Sequence, residues 1–328
     1  MKRKIILSMG LMVLLCTMVF ANGQKEAASQ GDGLITVGYA QVGAESDWRT
    51  ANTESFKSTF VEANGYKLIF DDAQQKQENQ IKAIRNFIQQ DVDYIVVAPV
   101  VETGWETVLK EAKEAGIPVI LSDRQMDLSD DSLYTAWVGG NFLKEGQDAI
   151  KWLNDYVKKE GRANEELNIV LLQGTIGSSA QVGRTKGVTE GLAKNPKYKL
   201  LAKQTGEFTQ SKGQEVMESF LKAYPDIDVV IAENDNMAFG AIDAIKAVGK
   251  VPGEDIIIIS FDAVKEAFNR MVAGEINCDV ECNPLHGPRV AEIIQTLENG
   301  GTVDKIMYVK EDVFDTSNAA AMLPTRKY

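Results

Sequence analysis

Short, near-continuous apolar runs alternate along this chain with stretches in which apolar residues return every three or four positions. The runs are Ile35–Ala40, Tyr66–Phe70, Tyr94–Ala98, Val119–Leu121, Ile169–Leu172, Val229–Ala232 and Ile256–Ser260. Runs that are apolar at successive positions, rather than at every second one, predict parallel strands buried on both faces. Between them, Ile81, Ile84, Phe87 and Ile88 share one helical face, as do Leu143, Ile150, Leu153 and Val157. Val216, Met217, Phe220, Leu221 and Tyr224 form a third such stripe. Strand alternating with helix gives an α/β fold with parallel sheet. About ten strands are too many for one small sheet, and the pattern breaks at Val138-Gly139-Gly140 before a new series opens with Asn141-Phe142-Leu143. The expected architecture is therefore α/β, with two similar doubly wound parallel-sheet domains, each with helices on both faces.

The first residues follow a different pattern. Met1-Lys2-Arg3-Lys4 is basic, Ile5 to Phe20 is apolar apart from Ser8, Gly10 and Thr17, and Ala21 closes the run. A charged start, an apolar stretch and a small residue mark residues 1–21 as a secretory signal peptide, cleaved after Ala21. The apolar stretch of ~16 residues is shorter than the ~20 that a spanning helix needs. The expected location is the periplasm, across the cytoplasmic membrane. Lipidation at Cys16 is the less favoured variant, because bulky Leu15 precedes it where a small residue is normal. Residues 22–33 are polar and small, without a hydrophobic period, and form a flexible tether.

Composition narrows the function. The chain has 328 residues, 35 basic against 47 acidic, and a formal net charge of −12. An acidic surface argues against nucleic acid, whose phosphates need clustered Lys and Arg. The single histidine, His286, makes a Ser–His hydrolase or a multi-histidine metal centre improbable and is expected to be structural. No P-loop, dinucleotide fingerprint, nucleophile elbow or zinc-protease motif occurs. The pairs Asp71-Asp72 and Asp130-Asp131 lack the spacing of a calcium loop. No catalytic residue, cofactor or metal is expected.

Open α/β sheets bind ligands beyond the carboxyl ends of their strands. Those ends carry Glu45, Ser46, Asp47, Trp48 and Arg49, then Asp123 and Arg124, and then Gly174 followed by Arg184. Later ends carry Phe208, Asn234 and Asp262. Such a set suits a neutral polyhydroxy ligand. Carboxylates accept from hydroxyls, guanidinium groups donate to them, Asn does both, and a ring covers a C–H face. The structural alternative is N-capping for Asp47, Asp235 and Asp262, which stand where helices begin. For Trp48 and Phe208 it is packing, and for Asp123-Arg124 a surface ion pair.

These segments resemble the sugar-binding proteins of bacterial ABC importers, in the ribose/galactose class of type I periplasmic binding proteins. The matching stretches include VGYAQVGAESDWR, DDAQQKQENQIKAIRNF, IVVAPVVETGWETVLKEAKEAGIPVILSDR, LLQGTIGSSAQVGRTKG, TGEFTQSKGQEVMESF and AENDNMAFGAIDAIKAVG. The resemblance implies capture of a galactofuranose-like monosaccharide by lobe closure, delivery to a membrane permease, and a monomeric state. Capture of ribose, galactose or another pentose or hexose for a sensor or chemotaxis receptor is the alternative, and a sugar-acting enzyme the remoter one. By position it implies that Glu45, Ser46, Trp48, Arg49, Asp123, Arg124, Arg184, Phe208, Asn234, Asp262 and Glu281 meet the ligand. It further implies two Rossmann-like lobes with a ligand cleft between them and three crossings, with residues 34–138 plus 283–311 forming the N-terminal lobe. Residues 139–282 plus 312–328 would form the C-terminal one. Finally, Cys278 and Cys282 stand four apart in an extended segment, ~13 Å at ~3.3 Å per residue, too far for a disulfide. They are expected as free thiols.

Overall fold

Four consecutive buried side chains in Tyr94–Val97, and again in Val119–Ser122 and Val229–Ala232, leave these strands no solvent face. The structure is a computed structural model and describes residues 33–328. The signal peptide, Cys16 and all of the tether but Gly33 lie outside the described residues.

The first half of the chain runs β1 (Ile35–Gln41), α1 (Asp47–Thr59), β2 (Tyr66–Asp72), α2 (Gln77–Gln89), β3 (Tyr94–Val97), α3 (Glu106–Glu114), β4 (Val119–Ser122) and β5 (Ala136–Gly139). Next come α4 (Phe142–Lys159), β6 (Leu167–Gln173), α5 (Ser179–Leu192), β7 (Tyr198–Thr205), α6 (Gln210–Ala223), β8 (Val229–Ala232), α7 (Asp235–Ala247), β9 (Ile257–Asp262), α8 (Lys265–Val272) and β10 (Cys278–Glu281). The chain ends with α9 (Gly287–Glu298), β11 (Ile306–Tyr308), β12 (Val313–Asp315) and α10 (Ala319–Met322).

Two six-stranded sheets result, ordered β11-β5-β4-β3-β1-β2 and β12-β10-β9-β8-β6-β7. Pairing is parallel throughout except β10 with β12. The chain passes to the second sheet after β5, returns after β10, and passes over again between β11 and β12. In each sheet the order reverses beside the first strand of its lobe, β1 or β6, and helices cover both faces.

Side-chain alternation divides each sheet between two cores. Tyr94 and Val96 of β3 pack on one face with Val37 and Tyr39, while Ile95 and Val97 pack on the other with Ile84, Phe87 and Leu109. Val230 and Ala232 likewise face one core and Val229 and Ile231 the other. The helical stripes are the covering surfaces. Ile84, Phe87, Ile150, Leu153, Val157, Val216, Met217 and Phe220 are buried. Trp48, from the first lobe, packs with side chains of the second.

Two helices approach closely enough to need glycine. A Cβ on Gly187 of α5 would stand 2.4 Å from the Leu143 carbonyl oxygen of α4, and one on Gly146 would stand 2.5 Å from the Arg184 carbonyl. This contact brings Glu145 of α4 against Arg184 of α5. Gly187→Ala should therefore lower unfolding stability by about 1–3 kcal/mol, measured by chemical denaturation. An unchanged midpoint would mean that α4 and α5 part freely.

Cys278 and Cys282 are both free and buried. A chain starting at Asn22 and titrated under denaturing, non-reducing conditions should show the two thiols of Cys278 and Cys282. A titration finding none would demand a bend in β10 that the structure does not have.

Candidate functional site

Ser46 ends the loop after β1 and caps α1, its Oγ accepting from the Arg49 N–H at 3.1 Å. Neither Asp47 nor Asp235 is a cap; the residue before each does that work, Ser46 for α1 and Asn234 for α7. Asp235 instead accepts from Ser260 Oγ and the Val264 N–H, at 2.5 and 2.9 Å. Capping turns the first residues of α1 inward, so Trp48 and Arg49 leave the helix toward the second lobe.

Three guanidinium groups organise the walls of the cleft. In the first lobe Arg49 donates to Glu45 Oε1 at 3.0 Å, to Asp123 Oδ2 at 2.7 Å and to Gln41 Oε1 at 3.3 Å. Arg124 donates to the Val100 carbonyl at 3.1 Å and stands 3.6 Å from Glu45. In the second lobe Arg184 donates to Glu145 Oε2 at 2.7 Å, to Asp262 Oδ1 at 3.1 Å and to the Glu233 carbonyl. All three arginines are within 3% of full burial. Burial alone would push Arg49 and Arg184 down, but their two carboxylates apiece hold both above the ordinary arginine value. Arg124 has weaker partners, and burial, helped by the neighbouring charge of Arg49, pushes it down to about 10.

The lobes meet across this network. The Gln125 N–H donates to Ser179 Oγ at 2.8 Å, the Glu102 N–H to the Gly177 carbonyl at 2.9 Å and the Asp47 N–H to Asn236 Oδ1 at 3.0 Å. The Arg124 guanidinium lies over the Phe208 ring at 5.2 Å. These contacts describe a closed cleft. Between the lobes lies one pocket, lined by Glu45, Ser46, Trp48, Arg49, Asp123, Arg124, Phe142, Ala180, Arg184, Phe208, Asn234, Asp262 and Cys282. Glu45 Oε2 and Arg124 Nε are buried without a hydrogen-bond partner among the described residues.

Three of these side chains hang from strained backbone. Asp123, Phe208 and Asp262 have φ of 65°, 63° and 108°. A non-glycine residue there costs about 1–3 kcal/mol and persists only when its surroundings hold it. The Trp137 indole N–H holds Asp123 through its carbonyl at 3.0 Å. Asn234 Nδ2 holds Phe208 in the same way at 3.0 Å, while its Oδ1 takes the Met237 N–H. The Phe208 ring lies on Gly174, where an added Cβ would come within 1.9 Å of it. Buried Glu233 accepts from the Gly174 N–H at 2.8 Å, and burial raises its carboxyl to about 8.

Ten of the eleven residues implied by the resemblance thus line one space. Glu281 does not: its carboxylate accepts from Arg326, from Tyr328 and from the Asp312 N–H, at 2.9, 2.7 and 3.1 Å. Alternation along β10 sends Glu281 to the carboxyl-terminal tail and the following Cys282 to the cleft. Cys282 was missed, as were Phe142, Ala180 and Glu145. Phe142 follows β5, so the strand-end rule applied to that strand would have found it. Glu145 has no sequence signal, because its partner is 39 residues away.

His286, on the second crossing, hydrogen-bonds Ser122 Oγ through Nδ1 at 3.0 Å and meets the Trp48 ring edge-on. Burial pushes its imidazole from 6.5 to about 4. The unfolded chain therefore binds the proton first, and His286 lowers stability as pH falls from 6.5 to about 4. Over that range His286→Gln should lose less stability than the parent, by up to about 3 kcal/mol. Parallel denaturation profiles would show that the imidazole is not held neutral.

Comparison with known proteins agrees with this geometry. Residues 37–286 match the family model described as "Periplasmic binding protein domain". The galactofuranose-binding protein YtfQ of Escherichia coli (strain K12) is 44% identical over 297 residues, covering 89% of this chain and 92% of its own. A Mycobacterium smegmatis structure in complex with β-D-fucofuranose is 48% identical with TM-score 0.86, covering 90% of this chain and 95% of that one. The binding protein of the arabinose ABC transporter from Shewanella sp. ANA-3, bound to α- and β-L-arabinofuranose, is 45% identical with TM-score 0.84, covering 89% and 95%. The chain belongs to the periplasmic binding protein family, with the two-lobed α/β fold of its type I members.

Proposed function

We propose that this protein captures a monosaccharide in its five-membered-ring form by closing its lobes, and hands it to the permease of an ABC importer. The observation that carries the reading is the cleft itself. Guanidinium–carboxylate clusters of both lobes, with Trp48 and Phe208, converge on one pocket between the lobes. Each relative named above is described with a furanose sugar. In this reading Glu45, Asp123 and Asp262 accept from sugar hydroxyls, and Arg49, Arg124 and Arg184 donate to sugar oxygens. Trp48 and Phe208 cover the C–H faces of the ring, while Ser46 and Asn234 shape the wall. Charge-assisted bonds of about 1.5–3 kcal/mol each then separate epimers. Closure is a hinge motion at the three crossings, with the sugar bridging the lobes.

The reading includes export: residues 1–21 are removed and the mature chain works in the periplasm. Among the described residues no helix is long and apolar enough to cross a membrane. Relatives described as binding proteins favour binding over catalysis. The mature chain should begin at Asn22, and sequencing that finds Met1 on native material would contradict export.

Isothermal calorimetry with methyl β-D-galactofuranoside and methyl β-D-galactopyranoside tests the ligand. The furanoside should bind and the pyranoside should not compete; equal competition would remove the ring-size claim. Arg124→Ala should weaken the furanoside by about 2–4 kcal/mol, and Trp48→Ala should weaken it through lost ring contact. Unchanged affinity in both would place the sugar elsewhere.

A further inference from the structure

Residues of all three crossings meet at one point. Gly140 stands in the first, Cys282 and Asn283 in the second and Glu311 in the third, and Glu145 reaches them from α4. A Glu145 carboxylate oxygen, a Glu311 carboxylate oxygen and the Cys282 sulfur lie within 4.8 Å of one another. A Cβ on residue 140 would stand 2.5 Å from Glu311 Oε1 and 2.6 Å from Glu145 Oε1, so glycine alone leaves room for both carboxyls. Glu145 Oε2 is taken by Arg184 at 2.7 Å, whereas its Oε1 is buried with no N–H or hydroxyl on it among the described residues. The Asn283 N–H donates to Glu311 Oε1 at 3.2 Å.

Two carboxylates this close, Glu145 buried and Glu311 half-buried, do not both ionise readily, and a proton between them removes the repulsion. Arg184 of α5 is the cation in contact with Glu145, at 2.7 Å, while Asp123 and Asp262 add negative charge. On the rim, Lys144 of α4 pairs with Asp148, and Lys310 with Asp312 at 3.6 Å. Cys282 is held as the thiol by burial and by its acidic neighbours.

We infer that Glu311, as the neutral acid, is a positioning residue for sugar binding: it donates to Glu145 Oε1, fixes the carboxylate that aims Arg184 into the cleft, and so couples the third crossing to the ligand site. This rests on Arg184 being a sugar contact, as proposed above. Burial, reinforced by Glu145, raises Glu311 to about 9. Below that pH the pair shares its proton; above it two carboxylates repel beside Arg184. Closed-state stability should therefore fall as pH rises toward about 9.

The test compares wild type, Glu311→Gln and Glu311→Ala by calorimetry with methyl β-D-galactofuranoside at pH 7 and pH 9, and by thermal unfolding without sugar. Gln keeps the acceptor for Asn283 and supplies a permanent N–H for Glu145. Arg124, at about 10, begins to titrate in the same range, so the readout is the difference between proteins. The expected result is near wild-type affinity for Glu311→Gln at pH 7, and about tenfold less loss than wild type on going to pH 9. Glu311→Ala should bind about tenfold more weakly at both, with Glu145 left without a donor. Parallel pH profiles for wild type and Gln, or wild-type affinity in Ala, would overturn the inference. So would a wild-type affinity that changes with zinc or chelator, which would make the cluster a metal site. If the furanoside fails to bind wild type, the sugar reading fails. The unfolding arm still decides the proton, because wild type should lose melting temperature relative to Gln between pH 7 and pH 9.

Discussion

Everything at the cleft depends on keeping three buried guanidinium groups charged. An unpaired arginine would pay several kcal/mol of desolvation. Here Arg49 and Arg184 each hold two carboxylates, and Arg124 leans on Glu45, the Val100 carbonyl and the Phe208 ring. The partners come from different strand ends: Glu45 after β1, Asp123 after β4, Asp262 at the end of β9. Each lobe must therefore fold with its sheet in register before its arginines are satisfied. The fold of each lobe thus directs Arg49 and Arg184 before any ligand arrives, which is the preorganisation that lets polar contacts yield affinity.

The same arrangement divides the labour between lobes. The first supplies Trp48, Arg49, Asp123 and Arg124, and the second supplies Phe142, Arg184, Phe208, Asn234 and Asp262. Neither half surrounds a ring alone. Contacts such as Gln125 to Ser179 and Arg124 over Phe208 exist only when the halves are together. Strained backbone at Asp123, Phe208 and Asp262 belongs to this division. It turns side chains at strand ends toward the partner lobe, and the cores beneath hold it in place.

Much of this was legible in the sequence because burial is a local signal. A strand covered on both faces must be apolar at every position, so β1, β3, β4, β6, β8 and β9 could be read directly. Short β11 and β12 could not, since exposed Ile306 and Tyr308 and the three-residue length give no pattern. The strand-end rule found Glu45 to Arg49, Asp123, Arg124, Phe208, Asn234 and Asp262. It could not decide between Glu281 and Cys282, because that depends on the phase of alternation in β10. Glu145 and Gly183 become meaningful only when α4 lies on α5, where a Cβ at residue 183 would meet Phe142 at 2.6 Å.

The central claim is that charged clusters from both lobes hold one neutral furanose ring. A crystal structure of the protein grown with methyl β-D-galactofuranoside tests it most directly. The account predicts the sugar between Trp48 and Phe208, with its hydroxyls on Glu45, Arg124, Arg184 and Asp262 and both lobes in contact. A sugar bound to one lobe alone, or lodged away from the three arginines, would contradict it.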